Sequence, residues 1–254
     1  EKGGVIQSNR FNLAQPCPGV GTRATLFGAM YEEFLHILGF GLCHQLPERS
    51  FVFGGLQWPV CARCTGIYLG LIAALAALLL VYRTRQRFGA PPWPFWLFAA
   101  AALSAMAYDG FSSYLGWRPT TNFLRLLTGL AVGTTLAVIV YVMLVGSLAT
   151  QATEKRVVST PKPIGIVALS VLLLIAVVYG LGPLVGPLLA GVDALAIIIT
   201  FGLLMLVIVG LFRRFDRSVS RVRDLLLPGA IALVAGGLLI VGAALFKAWI
   251  VGVS

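Results

Sequence analysis

Charged residues are scarce in this sequence of 254 residues, and acidic residues are the scarcest of them. Charged residues occupy 11% of positions, with nine Asp or Glu in total, whereas a soluble domain carries about 25%. Hydrophobic residues make up 59% of the chain. So few charges cannot cover a water-soluble domain of this size. The composition excludes that class and predicts an all-α, polytopic integral membrane protein.

The basic residues are not gathered into one patch, which argues against a nucleic-acid partner despite a net charge of +10. Eleven of the nineteen Lys and Arg lie in three short segments between apolar runs, at 83–87, 155–162 and 213–223. Cytoplasmic loops of membrane proteins carry an excess of Lys and Arg. We therefore place these three loops in the cytoplasm and expect membrane lipid as a partner.

Six apolar runs are long enough to cross the hydrocarbon core, which takes roughly 20 residues. The second run is the weakest, because Asp109 and Gly110 interrupt its end. An uncharged turn rich in Gly and Pro separates the fourth run from the fifth. The predicted spans are 62–82, 94–115, 122–146, 163–181, 190–212 and 226–250.

The first 60 residues contain no uncharged apolar stretch of spanning length. Within 24–42, apolar residues recur at helical spacing opposite Glu32, Glu33 and His36. This pattern predicts an amphipathic helix in the outer interface, with a seventh span as the alternative. The apolar residues concerned are Phe27, Met30, Tyr31, Phe34, Leu35 and Leu38. The predicted organisation is an extracytoplasmic segment at 1–60, a three-helix core at 61–146 and three further spans at 147–254.

The chain has four Cys and two His, and four of these six residues fall within 22 positions. Cys61 and Cys64 are three positions apart at the start of the first span, where two thiolates can chelate one ion. Cys43 and His44 can complete a tetrahedral set. Adjacent side chains on an extended segment point apart, so His36 or a carboxylate is an alternative fourth ligand. Thiolates favour zinc, with iron second.

The same cysteines allow other interpretations. Cys-x-x-Cys at a helix N-terminus beside Arg63 is also a setting that lowers a thiol pKa, and disulfides persist outside the cytoplasm. The pair can then exchange with Cys43 or Cys17 and pass electrons to a membrane quinone. A static disulfide is a third possibility. Without such exchange, Cys17 is expected to be a free or paired loop thiol.

A second group of polar residues surrounds the turn between the second and third spans. Ionisable groups at membrane depth usually face a partner or a cavity, so we expect Asp109 to pair with Arg118 or Arg125. Gly129 and Gly133 share a face of the third span with Arg125 and predict a close helix contact. The orientation argument puts this group on the same membrane face as the cysteines.

These residues predict one polar site at the outer rim of the membrane domain. Its positive charge suits an anionic headgroup, a quinone carbonyl or a partner's carboxylate, although Arg and Tyr at an interface also anchor helices without a ligand. Asp193, at the start of the fifth span, is expected to be an interfacial cap. The candidate binding residues are Arg49, Arg63, Asp109, Arg118, Asn122 and Arg125.

At these positions the sequence resembles a family of small prokaryotic membrane proteins that is catalogued as a domain of unknown function. The family pattern is Cys-His-Gln-x-Pro-x-Arg-Ser-Phe, Pro-x-Cys-x-Arg-Cys-x-Gly-Ile-Tyr, Asp-Gly and Thr-Asn-x-x-Arg-x-x-Thr-Gly. In this chain the four motifs lie at 43–51, 59–68, 109–110 and 121–129. The resemblance implies a multi-pass protein of a prokaryotic plasma membrane, and it brings no activity with it.

Three functions are compatible with the sequence. The first is a non-enzymatic, zinc-binding accessory or assembly subunit of a larger membrane complex, because no nucleophile–base pair is evident and 190–212 is apolar all round. The second is a quinone-coupled thiol oxidoreductase, similar in logic to vitamin K epoxide reductase but unlike it in spacing beyond Cys-x-x-Cys. The third, a transporter, is disfavoured because the ionisable residues gather near one face and not at the midplane.

Overall fold

Helices dominate the computed structural model, which describes residues 26–84, 86–150, 152–212, 219 and 222–252. An all-α membrane protein is therefore confirmed, with the difference that short strands connect some of the helices. The helices in the described residues are α1 (Leu26–Phe40), α2 (Ala62–Val81), α3 (Trp93–Tyr114), α4 (Asn122–Leu148), α5 (Pro161–Gly210) and α6 (Leu226–Val251). The strands are β1 (Ser50–Phe53), β2 (Leu56–Cys61), β3 (Arg87–Gly89) and β4 (Thr153–Arg156). β1 pairs with β2 antiparallel, and β3 pairs with β4 parallel.

Each of the six predicted spans falls on a helix and extends at most two residues beyond it, but the number of separate membrane-spanning candidates is smaller. In the described part of the chain, four helical stretches are long and apolar enough to cross a membrane: α2, α4, α5 and Arg223–Val251, which contains α6. α3 is not among them, because Trp, Tyr and Ser residues and Asp109 lower its hydropathy. The fourth and fifth predicted spans are joined in α5.

α5 is too long to be one straight span. Its 50 residues would measure about 75 Å, more than twice the hydrocarbon thickness. The backbone leaves the helical region at Val185, with φ −126° and ψ 28°, between Pro183 and Pro187. Proline lacks the N–H that continues a helix, so this pair explains the break. Val185 divides α5 into two helices, 161–184 and 186–210.

The chain reverses direction between the two halves of α5. Val167 of the first half is buried in one hydrophobic cluster and Leu203 of the second half packs against that cluster, although 36 positions separate them in sequence. Gly210, the last residue of α5, lies against Ser147 near the end of α4. The start of α5 follows β4, which is paired with β3 close to the same end of α4. The halves therefore correspond to the separate spans that the hydropathy predicts.

The closest helix contact is between α2 and α4. A Cβ atom at Gly129 would collide with the carbonyl oxygen of Arg63, and one at Gly133 would collide with that of Ile67. Gly66 of α2 faces the α4 backbone at Leu126 in the same way. Small residues that let two backbones touch are the usual means of packing helices in lipid. The predicted close contact is confirmed, and it fixes the first turns of α2.

Replacing Gly129 with Leu is expected to destabilise the protein, because the new side chain meets a backbone carbonyl that moves only with the whole of α2. Overpacking typically costs about 1–3 kcal/mol, and more where the obstacle is rigid. Thermal unfolding in detergent measures the effect. Gly242→Leu is the matched control, since a Cβ atom there meets nothing within 4 Å. Equal unfolding temperatures of the two variants would contradict the argument.

α1 lies inside the predicted range 24–42. Leu35 and Leu38 are buried in the core cluster that also contains Trp58 and Val60 of β2. Met30 and Phe34, predicted for the same apolar side, stay largely exposed, so only part of that side packs on the protein. The interfacial position of α1 and the division of the chain at 60 and 146 remain predictions.

Candidate functional site

A β-hairpin positions the first cysteine of the Cys-x-x-Cys pair. Gly54 and Gly55 form the turn between β1 and β2 with φ values of 62° and 82°, a region that glycine adopts without strain. Phe51 and Trp58 pack edge to face across the hairpin, with ring centroids 5.3 Å apart. β2 ends at Cys61, which is extended and caps α2. The buried hairpin therefore sets the direction in which the Cys61 side chain leaves the backbone.

Three cysteine sulfurs converge where this hairpin meets α2. The Sγ atoms of Cys43, Cys61 and Cys64 all lie within 4.8 Å of one another. The backbone N–H of Cys61 also points at the Cys43 Sγ, 3.3 Å away. All three are free cysteines and all are partly buried. The structure thus brings Cys43, from a loop 18 positions earlier, to the pair at the start of α2.

The two histidines lie apart from the three cysteine sulfurs. His44, the fourth predicted ligand, is exposed and is not part of the cluster of ligand atoms in the described residues. The reason is that adjacent side chains on extended chain diverge, so a loop that turns Cys43 inward turns His44 outward. His36 is exposed on α1 and likewise stands outside the cluster. Cys17 lies outside the described residues.

Hydrogen bonds within the cluster make the three thiols unequal. The thiols of Cys61 and Cys64 donate to the Cys43 sulfur and hold the pKa of the Cys43 thiol well below its ordinary value. The same interaction raises the pKa of the Cys61 thiol. Cys43 is therefore the first of the three to become a thiolate. One thiolate beside two further thiols is a donor set that soft and borderline cations select.

The loop that carries Cys43 is tied to other elements of the fold. Lys247, near the end of α6, donates from Nζ to the carbonyl oxygens of Phe40 at 2.6 Å and Cys43 at 2.7 Å. The Gln45 side chain donates to the carbonyl oxygen of Pro59 in β2 at 2.8 Å. The position of the Cys43 sulfur is therefore set by α6 and β2 as well as by its own loop.

Asp193 is not the interfacial cap that the sequence suggested. It lies inside the second half of α5, it is completely buried, and its Oδ2 accepts a hydrogen bond of 2.9 Å from the Thr65 hydroxyl. Thr65 directly follows Cys64 on α2. The other carboxyl oxygen of Asp193 has no hydrogen-bond partner among the described residues. Sequence reasoning missed this neighbour of the cluster because 128 positions separate Asp193 from Thr65.

Asp109 is the centre of the second polar group. Its side chain is 2% exposed and accepts from Arg63, from Arg118 at 3.3 Å and from the Thr120 hydroxyl at 2.7 Å. The predicted pairing with Arg118 is confirmed, whereas Arg125 is not an ion-pair partner of Asp109. Arg63 lies within the cysteine motif, and its side chain crosses to Asp109 of α3. It joins the two polar groups at one end of the bundle.

Arg125 is more buried than Arg63 and Arg118, with 6% of its surface exposed. Its guanidinium donates to three neutral acceptors: Asn122 Oδ1 at 2.9 Å, Ser113 Oγ at 3.3 Å and the Glu48 carbonyl oxygen at 3.4 Å. The Asn122 side chain in turn donates to the Ser50 carbonyl oxygen at 3.1 Å. Arg49, at the end of the short 3-10 helix Pro47–Arg49, is close enough to repel the charge of Arg125.

Comparison with known proteins identifies related sequences over this part of the chain. The family model "Predicted membrane protein (DUF2085)" matches residues 43–139. A protein of Methanothermobacter thermautotrophicus is 39% identical over 102 residues, which are 40% of this chain and 86% of that protein. A protein of Methanocaldococcus jannaschii is 35% identical over 102 residues, 40% of this chain and 62% of that protein. Both relatives carry the name "Uncharacterized protein". No solved structure matches the chain.

Proposed function

This chain belongs to the family described as Predicted membrane protein (DUF2085), and we propose that it is a membrane protein that binds one zinc ion through Cys43, Cys61 and Cys64. The convergence of the three sulfurs within 4.8 Å carries the proposal. A tetrahedral site with Zn–S bonds of about 2.3 Å places its sulfurs roughly 3.8 Å apart. Small rotations of the three side chains reach that spacing, so the residues present fit the ion.

Three thiolates leave the fourth tetrahedral position to another donor. His44 is the nearest candidate along the chain, and Gln45 beside it adopts a φ of 52° that already turns the backbone. Water is the other candidate. The role is structural, because the ion joins the loop after α1, the end of β2 and the first turn of α2. It fixes the N-terminal segment to the bundle.

The apolar helices outside the matched segment support an accessory or assembly role in a larger complex. In the most apolar part of α5, 11% of the residues are buried within the chain, whereas the figure for α4 is 56%. The exposed faces of α5 and α6 are available to lipid and to other membrane proteins. The cysteines lie at the opposite end of α2 from the basic residues around Arg83 and Arg87, which supports an extracytoplasmic position of the site in a plasma membrane.

Purified wild-type protein is expected to contain about one zinc per chain, and the Cys61→Ser/Cys64→Ser variant almost none. Plasma mass spectrometry gives the metal content, and thiol titration on anaerobically purified protein gives the free sulfurs. Cys17→Ser is the matched control, because it makes the same chemical change at the one cysteine that the proposal does not name as a ligand. It is expected to keep its zinc. Wild-type protein that contains no zinc under these conditions would overturn the proposal.

A second function, quinone-coupled thiol oxidation, is favoured by the same convergence of three sulfurs within 4.8 Å. Two of the cysteines would form a disulfide, and the two electrons and two protons that they release would reduce a quinone to a hydroquinone. The same preparation separates the two functions. A metal-free protein whose disulfide is opened by dithiothreitol and re-formed by a soluble quinone would establish the oxidoreductase.

A further inference from the structure

Four arginines gather beside the N-terminal ends of α2 and α4. Arg63 and Arg118 share the carboxylate of Asp109, whereas Arg125 and Arg49 repel one another. Among the described residues, Asp109 is the acidic side chain that forms ion pairs with this group. Four guanidinium groups around one paired carboxylate leave an excess of three positive charges. We name Arg49, Arg63, Arg118 and Arg125 the arginine cluster.

The protein leaves the charge of Arg125 and one nitrogen of Arg63 without a partner among the described residues. The three hydrogen bonds of Arg125 all go to neutral acceptors. The carboxylate of Asp109 is already engaged by Arg63, Arg118 and a threonine hydroxyl. The Nε of Arg63 is buried and has no hydrogen-bond partner among the described residues. Arg125 is buried and forms no ion pair with the described residues. Such a charge is costly, so an external anion would stabilise it.

The two helix termini add positive potential of their own. α4 begins at Asn122, and its Thr121 cap accepts one backbone N–H, that of Leu124 at 3.3 Å. α2 begins at Ala62 without any side-chain cap hydrogen bond. The first turn of a helix has unpaired N–H groups and a partial positive charge, which favour an anion. The helix termini and the arginines therefore both raise the positive potential at this end of the bundle.

We propose that the arginine cluster binds a phosphate group, carried by an anionic lipid headgroup or present as free phosphate. Guanidinium groups match phosphate oxygens in charge and geometry. The cluster lies at the end of the spanning helices α2 and α4, the level at which headgroup phosphates occur. The side chain of Arg118 is 43% exposed and that of Arg63 is 22% exposed, so a ligand can reach the cluster from outside the protein. A neutral quinone carbonyl does not balance three positive charges.

The test is isothermal titration calorimetry on the detergent-purified full chain. The three ligands titrated are short-chain phosphatidylglycerol, short-chain phosphatidylcholine and inorganic phosphate. We expect binding of phosphatidylglycerol or of inorganic phosphate, weakened about tenfold or more in the Arg49→Gln/Arg118→Gln variant. Both residues are partly exposed, which protects the fold. Arg83→Gln/Arg156→Gln removes the same charge at the other end of the bundle and should bind as wild type does.

The arms of the titration separate the sources of the phosphate. Binding of phosphatidylglycerol that inorganic phosphate does not displace identifies a lipid headgroup, and binding of inorganic phosphate alone identifies the free ion. Absence of binding in all arms, or equal weakening in the Arg83→Gln/Arg156→Gln control, overturns the proposal. Zinc content is measured in every variant, and it should not change. A phosphate defect with normal zinc therefore distinguishes this site from the cysteine cluster.

Discussion

Removing zinc from the wild-type protein with a membrane-permeant chelator is expected to lower its unfolding temperature by on the order of 10 °C. A ligand present at about 1,000 times its dissociation constant stabilises a protein by about 4 kcal/mol, and 1 kcal/mol corresponds to roughly 2–4 °C for a chain of this size. The effect is less than that in zinc fingers, which unfold without metal. Lys247 and Gln45 still hold the Cys43 loop after the ion has left.

The Cys43→Ser variant tests the same metal site by removing one ligand. The variant loses the ligand that connects the loop to α2, so we expect a low unfolding temperature that the chelator does not change. Cys17→Ser should respond to the chelator as wild type does. Limited proteolysis gives a local readout, because the loop at 43–49 should become accessible in the chelated protein and in Cys43→Ser. An unfolding temperature that is the same in wild type and Cys43→Ser, with no response to chelator in either, would exclude a structural metal.

The helices were predictable from hydropathy because membrane spans depend on a local property, a run of about 20 apolar residues. Their packing depends on pairs of residues that are distant in sequence. The break at Val185 illustrates this difference between local and long-range information. Pro183 and Pro187 mark the break in the sequence. Only contacts such as that of Gly210 with Ser147 show that the chain then turns back. The uncertain second span is the one whose hydropathy falls short.

The β1–β2 hairpin could have been found from the sequence. Gly54 and Gly55 stand between two short segments rich in aromatic and β-branched residues, which is a hairpin pattern. For the first 60 residues we predicted one amphipathic helix and no strand, because they contain no uncharged apolar stretch of spanning length. The hairpin matters for the site, since β2 delivers Cys61.

The site was predictable only where its residues are close in sequence or rare. The spacing of Cys61 and Cys64 predicts a chelating pair, and the scarcity of cysteine in the chain draws attention to Cys43. The contacts of Arg63 with Asp109 and of Thr65 with Asp193 span 46 and 128 positions. No local pattern encodes such pairs, and a charge or carboxyl at the end of an apolar run is equally compatible with an interfacial cap.

Replacing Asp109 with Ala is expected to destabilise the protein by about 3 kcal/mol, because Arg63 and Arg118 lose the carboxylate that compensates them. The lower end of the range for buried ion pairs applies, since Arg118 is 43% exposed and can turn to water. Unfolding in mixed micelles with increasing denaturant measures the difference. Glu33→Ala, at an exposed position of α1, removes the same charge without a buried partner and is expected to leave stability within about 0.5 kcal/mol of wild type.

A double-mutant cycle separates the ion pair from the other contacts of the two side chains. Arg63→Met alone leaves Asp109 with Arg118 and Thr120, and it should destabilise less than Asp109→Ala does. Asp109→Leu/Arg63→Met removes both charges and keeps most of the side-chain volume. We expect it to be more stable than Asp109→Leu alone, because replacing a buried ion pair with apolar residues is often neutral or favourable. A double variant whose loss equals the sum of the single losses would show that the two side chains are not energetically coupled. Recovery would show that the contact between Arg63 and Asp109 stabilises the end of the bundle at which the cysteines and the arginine cluster meet.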